Sequence, residues 1–180
     1  MRETIRRLGA AIAAAAVLGA CTIIRKEGRP AGTGPFVQAS SAVAAGEYLT
    51  TIGGCNDCHT PNWHESGGNV SLADRLTGVP VGWRGPWGTT YASNLRLSVQ
   101  GTTARDWIRT MRETRGKPPM PWTSLHAMGD RDLEAVYAFI VSLGPKGEAM
   151  PKALPPDSEP ATPYILLMPA SPKGPATRAR

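Results

Sequence analysis

The chain has 180 residues, which suits one domain with an ordinary hydrophobic core and argues against two. Its seventeen prolines and twenty glycines exceed average usage, so we expect helices joined by long loops and little extended sheet. The formal net charge is +6, but no basic run is interleaved with aromatic residues, which disfavours nucleic acid as a partner.

Residues 1–20 are predicted to be a signal peptide that does not belong to the fold. Three arginines form a basic start, and the alanine-rich apolar run that follows is too short to span a bilayer comfortably. The last three residues of this segment and Cys21 read Leu-Gly-Ala-Cys, which resembles the lipobox of bacterial lipoproteins. Cleavage by an ordinary signal peptidase, or an uncleaved anchor, is the alternative.

The lipobox resemblance implies that Cys21 is acylated and becomes the new amino terminus. Several acyl chains would hold the protein stably in a membrane, on the periplasmic side of a Gram-negative cell envelope. Residues 21–39 would then form a flexible tether. Lipidation also accounts for Cys21 as an odd thiol in an oxidising compartment, if the other two cysteines are consumed elsewhere.

A first helix begins after Ser40 or Ser41, either of which is a suitable cap, and ends at Gly53 and Gly54. Its apolar residues are expected to share one buried face: Ala45, Tyr48, Leu49 and Ile52.

The next five residues, Cys55-Asn56-Asp57-Cys58-His59, have the spacing of a covalent haem attachment site. Two thiols three positions apart reach the two vinyl groups of one porphyrin, and the imidazole of the next residue lies under the iron. We therefore expect one haem c, attached through Cys55 and Cys58, with His59 as an axial ligand of the iron.

Other sites can also use a CxxC pair. A thioredoxin-like motif needs a βαβ context, which does not precede it. A structural zinc site needs two more ligands, for which the chain offers His64 and His126 without a second cysteine pair. A disulfide between Cys55 and Cys58 is compatible with the spacing. We expect both histidines to be solvent-facing loop residues.

A middle helix is predicted over residues 104–113. Thr103 and Asp106 form a capping box at its start, and an apolar stripe that includes Trp107 and Met111 predicts its core face. The helix dipole favours the basic residues near its end, which are Arg109, Arg112 and Arg115.

Met120 lies between prolines in Pro118-Pro119-Met120-Pro121-Trp122. A thioether is a weak neutral ligand, so a loop that presents it should be stiff before binding, and prolines reduce the entropy lost on ordering. Met120 is therefore the predicted sixth ligand of the iron. The alternative is a plain proline-rich turn.

The last predicted helix starts at Asp130 and stops at Gly144-Pro145. Its buried residues are expected to be Leu133, Val136, Tyr137 and Ile140. Residues 146–180 are expected to be a largely irregular proline-rich tail. The tail's apolar run, 164–167, is suited to dock on the domain or on a partner.

The order of these elements looks like class I cytochrome c over residues 40–145. The resemblance implies an all-α fold in which three to five helices, joined by long loops, wrap around one covalent haem. It also implies that the first and last helices cross closely, at Gly46 and Tyr137. Four short segments, 46–49, 58–61, 91–94 and 119–122, further resemble the cytochrome subunits that accept electrons from bacterial membrane dehydrogenases, although those often carry several haems.

In that family the loop after the haem motif packs on the porphyrin and binds its propionates. The resemblance therefore implies a haem pocket that draws on Trp83, Arg84, Trp87, Tyr91, Asn94 and Trp122.

His59 and Met120 on opposite faces would leave the iron without an open position. We therefore expect a carrier of single electrons, and not an enzyme, whose partners are a redox donor and acceptor such as a dehydrogenase, an oxidase or another cytochrome. One alternative is a fixed haem subunit of a membrane dehydrogenase or respiratory complex. The other is a haem sensor or peroxidase with a labile sixth ligand.

Overall fold

A computed structural model describes residues 34–170. Six helices and a small three-stranded sheet make up this part of the chain, so the fold is mixed and the all-α prediction is wrong in this respect. The helices are α1 (Ala42–Ile52), α2 (Cys55–His59), α3 (Leu95–Ser98), α4 (Ala104–Glu113), α5 (Trp122–Ala127) and α6 (Asp130–Ser142). The strands are β1 (Val79–Gly85), β2 (Gly88–Ala92) and β3 (Tyr164–Leu166).

Helices α1 and α6 cross at close range, as predicted. A methyl group on Gly46 would overlap the carbonyl oxygen of Ala135 and the side chain of Phe139. Glycine is therefore required here because it lets the two backbones approach. On α6, Ala135 and Phe139 make this contact, and not the expected Tyr137. The Tyr137 hydroxyl donates to the Thr102 carbonyl oxygen at 2.5 Å.

The buried face of α1 is rotated from the predicted one. Ala45 and Leu49 are buried, as expected, but Tyr48 and Ile52 are 53% and 60% exposed. The face that meets α6 contains Gly46 and Thr50 instead. A small residue can sit at a helix crossing where a tyrosine cannot, and an apolar-periodicity argument does not register Gly or Thr.

Helix α4 has its predicted bounds. The Thr103 hydroxyl accepts from the Asp106 backbone N–H at 3.2 Å and donates to the Asp106 carboxylate at 2.7 Å, which satisfies one of the free donors of the first turn. Trp107 is buried and Met111 packs against the core.

Helix α6 starts at the predicted residue and supplies much of the core. Leu133, Val136 and Ile140 are buried as predicted, and Phe139 joins them. Arg96 from α3 lies under the end of this helix, where its guanidinium donates to the carbonyl oxygens of Leu143 and Gly144.

The sheet has the order β2-β1-β3. Strands β1 and β2 form an antiparallel hairpin in which Trp83 faces Thr90, and β3 runs parallel to β1 with Ile165 opposite Trp83. The tail run predicted to dock therefore docks on β1. Glycines and prolines in the hairpin mask an alternation of β-branched and aromatic residues, which explains why the sequence favours a loop over residues 79–92.

The segment before α1 also contacts the domain. The Val37 backbone N–H donates to the Asp132 carboxylate at 2.8 Å, and the Arg131 guanidinium lies 4.5 Å from the centre of the Phe36 ring. The last residues of the predicted tether are thus bound to the start of α6. Between residues 34 and 170, no helix is long and apolar enough to cross a bilayer.

Candidate haem attachment site

The two cysteines of the motif lie on one short helix directly after α1. Gly54 precedes this helix with a left-handed backbone (φ +69°), which turns the chain sharply from α1 into α2. Cys55 and Cys58 are both half-buried free thiols. Burial raises the pKa of Cys55 to about 11 and also raises the pKa of Cys58, so both remain protonated at neutral pH.

His59, at the end of α2, is buried and held in one orientation. Its Nδ1 lies 2.7 Å from the carbonyl oxygen of Ser93, which can only accept, so Nδ1 carries the proton. Burial lowers the pKa of His59, and the ring is therefore neutral. The lone pair on Nε2 is then available for a metal, in the arrangement that metal-binding histidines commonly adopt.

A buried network of hydrogen bonds holds the motif helix α2 in place. The Asn56 side chain donates to the Thr50 carbonyl oxygen at 3.3 Å and accepts from the Thr60 hydroxyl at 2.8 Å. That hydroxyl in turn accepts from the Leu76 backbone N–H at 2.9 Å. In the sequence Asn56 is simply one of the two positions between the cysteines, and only its burial shows that it orients α2.

The loop that carries Met120 is attached to the hairpin. The Thr90 hydroxyl donates to the Pro118 carbonyl oxygen at 2.7 Å, and the Lys117 ammonium donates to the Trp87 carbonyl oxygen at 2.8 Å. Met120 itself is half-buried and packs against the core. Its assignment as an iron ligand stays a prediction, and these contacts give the loop the stiffness on which that prediction depends.

Among residues 34–170, two buried side-chain donors have no hydrogen-bond partner, and both are indole N–H groups of the predicted haem pocket. They belong to Trp87, in the hairpin turn, and to Trp122, at the start of α5. An unpaired buried donor is costly, and a bound acceptor removes that cost. Haem propionates are such acceptors, so the donor chemistry of these two residues fits the cofactor.

Two other residues of the predicted pocket have partners within the protein itself. The Arg84 guanidinium donates to the Ser158 carbonyl oxygen at 2.5 Å and pairs with Glu159 at 3.1 Å. The Tyr91 hydroxyl lies 2.9 Å from that of Thr162. The tail folds back onto the sheet and supplies these partners. The side chains of Arg84 and Tyr91 therefore bind the tail.

Asn94 has a structural role in the fold. Its side chain caps α3 by accepting from the Leu97 backbone N–H at 3.2 Å, and donates to the carbonyl oxygens of Lys146 and Glu148. Trp83 is half-buried in the middle strand of the sheet.

The two histidines outside the motif differ in their surroundings. His64 is exposed in a loop, as expected. His126 is not in a loop, because it lies in α5, where its Nε2 is 3.0 Å from the Thr114 carbonyl oxygen. A helix of six residues is too short for apolar periodicity to reveal.

Three further observations concern the limits of the candidate site. Within residues 34–170, no three His, Cys, Asp or Glu side chains form a group that could hold a metal ion. An open cleft of about 500 Å³ is lined by residues of the segment 61–77 together with Lys146 and Gly147, and no residue of the predicted haem pocket lines it. Cys21, the predicted lipidation site, lies outside the described residues.

No protein-family model and no solved structure matches this chain. The chain is similar to a subunit of the nicotinate dehydrogenase of Pseudomonas putida, with 26% identity over 133 residues. The match covers 68% of this chain but 10% of that protein, so the matched region is about a tenth of its relative's length. The similarity is to a component of a dehydrogenase.

Proposed function

We propose that this protein carries single electrons through one covalently attached haem c. The observation that carries the proposal is the motif helix, in which two free thiols precede a buried neutral imidazole whose Nδ1 is held by the Ser93 carbonyl. The haem, when bound, supplies an iron that changes between two oxidation states by one electron.

The residues of the motif would each contribute a defined step of attachment. Cys55 and Cys58 would hold the haem through two thioether bonds, each formed by adding one S–H across one vinyl group, so no oxidant would be needed. Both cysteines are free thiols on the same short helix, as such an attachment requires. His59 would hold the iron through Nε2, and the Met120 sulfur is the proposed sixth ligand; with both in place, the haem would exchange electrons without binding oxygen.

Two buried donors without partners support a pocket for the porphyrin edge. The indole N–H groups of Trp87 and Trp122 are the proposed propionate donors. The crossing of α1 and α6 and the order of the helices support a class I cytochrome c fold, with the small sheet as an addition.

The cellular setting belongs to the same proposal. An acylated Cys21 would place the protein on the periplasmic side of a membrane, where it would exchange electrons with a donor and an acceptor protein. A second candidate, a fixed haem subunit of a dehydrogenase complex, is favoured by the similarity to a dehydrogenase component.

Haem attachment is tested by a pyridine haemochrome spectrum of the mature protein. We expect one haem c per chain that acidified organic solvent does not extract, and that a double variant, Cys55→Ala with Cys58→Ala, fails to retain. A colourless protein, or one whose pigment is extracted, would refute the proposal.

The sixth ligand is tested by Met120→Ala, with Met168→Ala as the control because Met168 is 55% exposed in the tail. We expect Met120→Ala to lower the reduction potential and to produce a high-spin iron that binds carbon monoxide, since thioether ligation favours the reduced state. An unchanged spectrum would dismiss Met120. Fast carbon monoxide binding by the unaltered protein would instead favour a sensor or peroxidase.

Two measurements test the setting. Mass spectrometry should find an acylated Cys21 at the amino terminus, and a peptide that continues upstream of it would refute the anchor. Purification from detergent-solubilised membranes separates the two candidate functions, because a fixed haem subunit co-purifies with stoichiometric partners and a shuttle does not.

A further inference from the structure

The side chain of Arg112, on α4, reaches across to the end of α5. Its guanidinium donates to the carbonyl oxygens of His126, at 2.5 Å, and of Met128, and pairs with the Asp130 carboxylate at 2.7 Å. It is thereby bound to the last turn of α5 and to the first residue of α6 at once. The helix dipole explains why an arginine is favoured near the end of α4, but it does not explain these contacts.

Helix α5 depends on such an anchor. It has six residues, begins two residues after Met120, and its cap residue, Pro121, offers no side-chain hydrogen bond. An isolated helix of this length is unstable in water, so contacts from elsewhere must hold it. The last carbonyl groups of a helix lack partners within it, and Arg112 supplies donors to two carbonyl oxygens at this end.

The loop before Met120 is held separately. Lys117 and Pro118 are bound to the hairpin, through the Trp87 carbonyl oxygen and the Thr90 hydroxyl. Met120 therefore lies on a short segment that is held on both sides, by the hairpin before it and, after it, by Arg112 together with the His126–Thr114 contact.

We propose that Arg112 is a positioning residue that keeps the Met120 sulfur on the iron. This inference rests on the proposed function, in which Met120 is the sixth ligand. A planar guanidinium with several donors reaches two carbonyl groups and a carboxylate together, whereas a lysine ammonium is a point donor on a flexible stem. Loss of Arg112 frees the end of α5, and Met120 then leaves the iron more often.

The test is the rate at which the reduced, haem-loaded protein binds carbon monoxide, which requires Met120 to leave. We expect Arg112→Gln to raise this rate by about tenfold or more, because hydrogen bonds to a charged group are lost. Arg112→Lys should raise it less. Amide hydrogen exchange in α5 should also become faster in Arg112→Gln, a readout that does not depend on the haem.

Arg109→Gln is the matched control. Arg109 lies on the same helix, is 59% exposed and pairs locally with Asp106, so its replacement should leave carbon monoxide binding unchanged. Asp130→Asn provides a milder variant should Arg112→Gln not fold, since it removes the carboxylate that Arg112 binds and should raise the rate in the same direction.

Two outcomes would overturn the inference, and they are distinguishable. If Met120→Ala binds carbon monoxide rapidly while Arg112→Gln and Asp130→Asn bind it at the unaltered rate, Arg112 does not position the ligand. If Met120→Ala itself leaves the rate unchanged, the Met120 assignment fails, and the role of Arg112 fails with it.

Discussion

The orientation of His59 depends on two backbone groups that are distant in the sequence. The Ser93 carbonyl oxygen holds Nδ1 at 2.7 Å, and the His59 carbonyl oxygen accepts from the Gly78 backbone N–H at 2.8 Å. His59 is thus held through its ring by Ser93, which follows β2, and through its backbone by Gly78, which precedes β1. A replacement of the Ser93 side chain would leave this orientation intact, because the side chain does not make the bond.

The two indole N–H groups lead to a prediction about the propionates. In haem-loaded Trp122→Phe, the pKa of the propionate should rise by roughly half a unit, because a carboxylate that loses a donor holds its proton more tightly. The pH at which the reduction potential changes should rise by the same amount. Trp87→Phe should act in the same direction. Trp63→Phe, in an exposed loop, is the control, and potentiometric titration is the measurement. If neither indole variant differs from the control, the propionates are bound elsewhere.

Gly46 leads to a second prediction. Gly46→Ala should lower the free energy of unfolding by about 1–3 kcal/mol, although alanine favours a helix, because the methyl group overlaps the Ala135 carbonyl oxygen. Urea unfolding measures the change. Tyr48→Ala removes far more atoms from an exposed position of the same helix and should cost less. A Gly46→Ala protein as stable as the unaltered one would contradict the close crossing.

Helix α4 shows how a local signal can define an element, and its cap gives a third prediction. Thr103→Ala should cost about 1 kcal/mol of unfolding free energy at pH 7, the usual contribution of an N-cap. The Thr103 hydroxyl and the nearby arginines also lower the pKa of Asp106 below 3.8. The stabilisation from its carboxylate is therefore present above pH 3.8 and is lost as the pH falls through the lowered pKa.

The cost of Thr103→Ala should accordingly be smaller in acid than at pH 7, which urea unfolding at the two pH values can measure. Thr102→Ala, one residue before the cap, is the control. An equal cost at both pH values would mean that the hydroxyl does not stabilise the charged form of Asp106.

The shortest helices depend on long-range arginine contacts. Arg96, buried in α3, connects the end of α6 with the Ala73 carbonyl oxygen at 2.7 Å, and Arg112 holds the end of α5 in a similar way. Neither α3 nor α5 has enough residues to be stable alone, and the sequence contains no local signal for their anchors, so neither helix was predicted.

At the scale of the whole molecule, charge is distributed unevenly along the chain. Residues 34–170 contain eleven Lys and Arg against twelve Asp and Glu, so the net charge of +6 comes from the two ends of the chain. An acidic redox partner is therefore not implied by the net charge of the domain itself.

The tail gives a fourth prediction. A chain that ends after Met150 loses β3, the Leu154 bridge to Thr89 and the partners of Arg84 and Tyr91, which together make at least seven hydrogen bonds to the rest of the domain. We expect its free energy of unfolding to fall by at least about 3 kcal/mol, since each hydrogen bond contributes about 0.5–1.5 kcal/mol. A chain that ends after Ala170 keeps these contacts and is the control. If the shorter chain and the control unfold at the same temperature and the same urea concentration, the tail does not stabilise the sheet.

Local patterns in the sequence determined the bounds of α4, the start of α6, the cap at Thr103, the cap of α1 to within one residue, and the spacing of the two cysteines and the histidine. These features depend on residues within a few positions of one another, where side-chain chemistry and helical periodicity act directly. The resemblance to a known family added the close approach at Gly46.

Only the tertiary structure decided which distant groups meet. It paired Ser93 with His59 across 34 residues and Arg84 with Ser158 across 74, and it added β3 to the hairpin. Such contacts depend on how the chain folds back on itself, and a backbone carbonyl exists at every position, so no residue type marks it in advance. For that reason the sequence identified the motif, whereas its orientation and the contacts that Arg84, Tyr91 and Asn94 make within the protein followed from the packing.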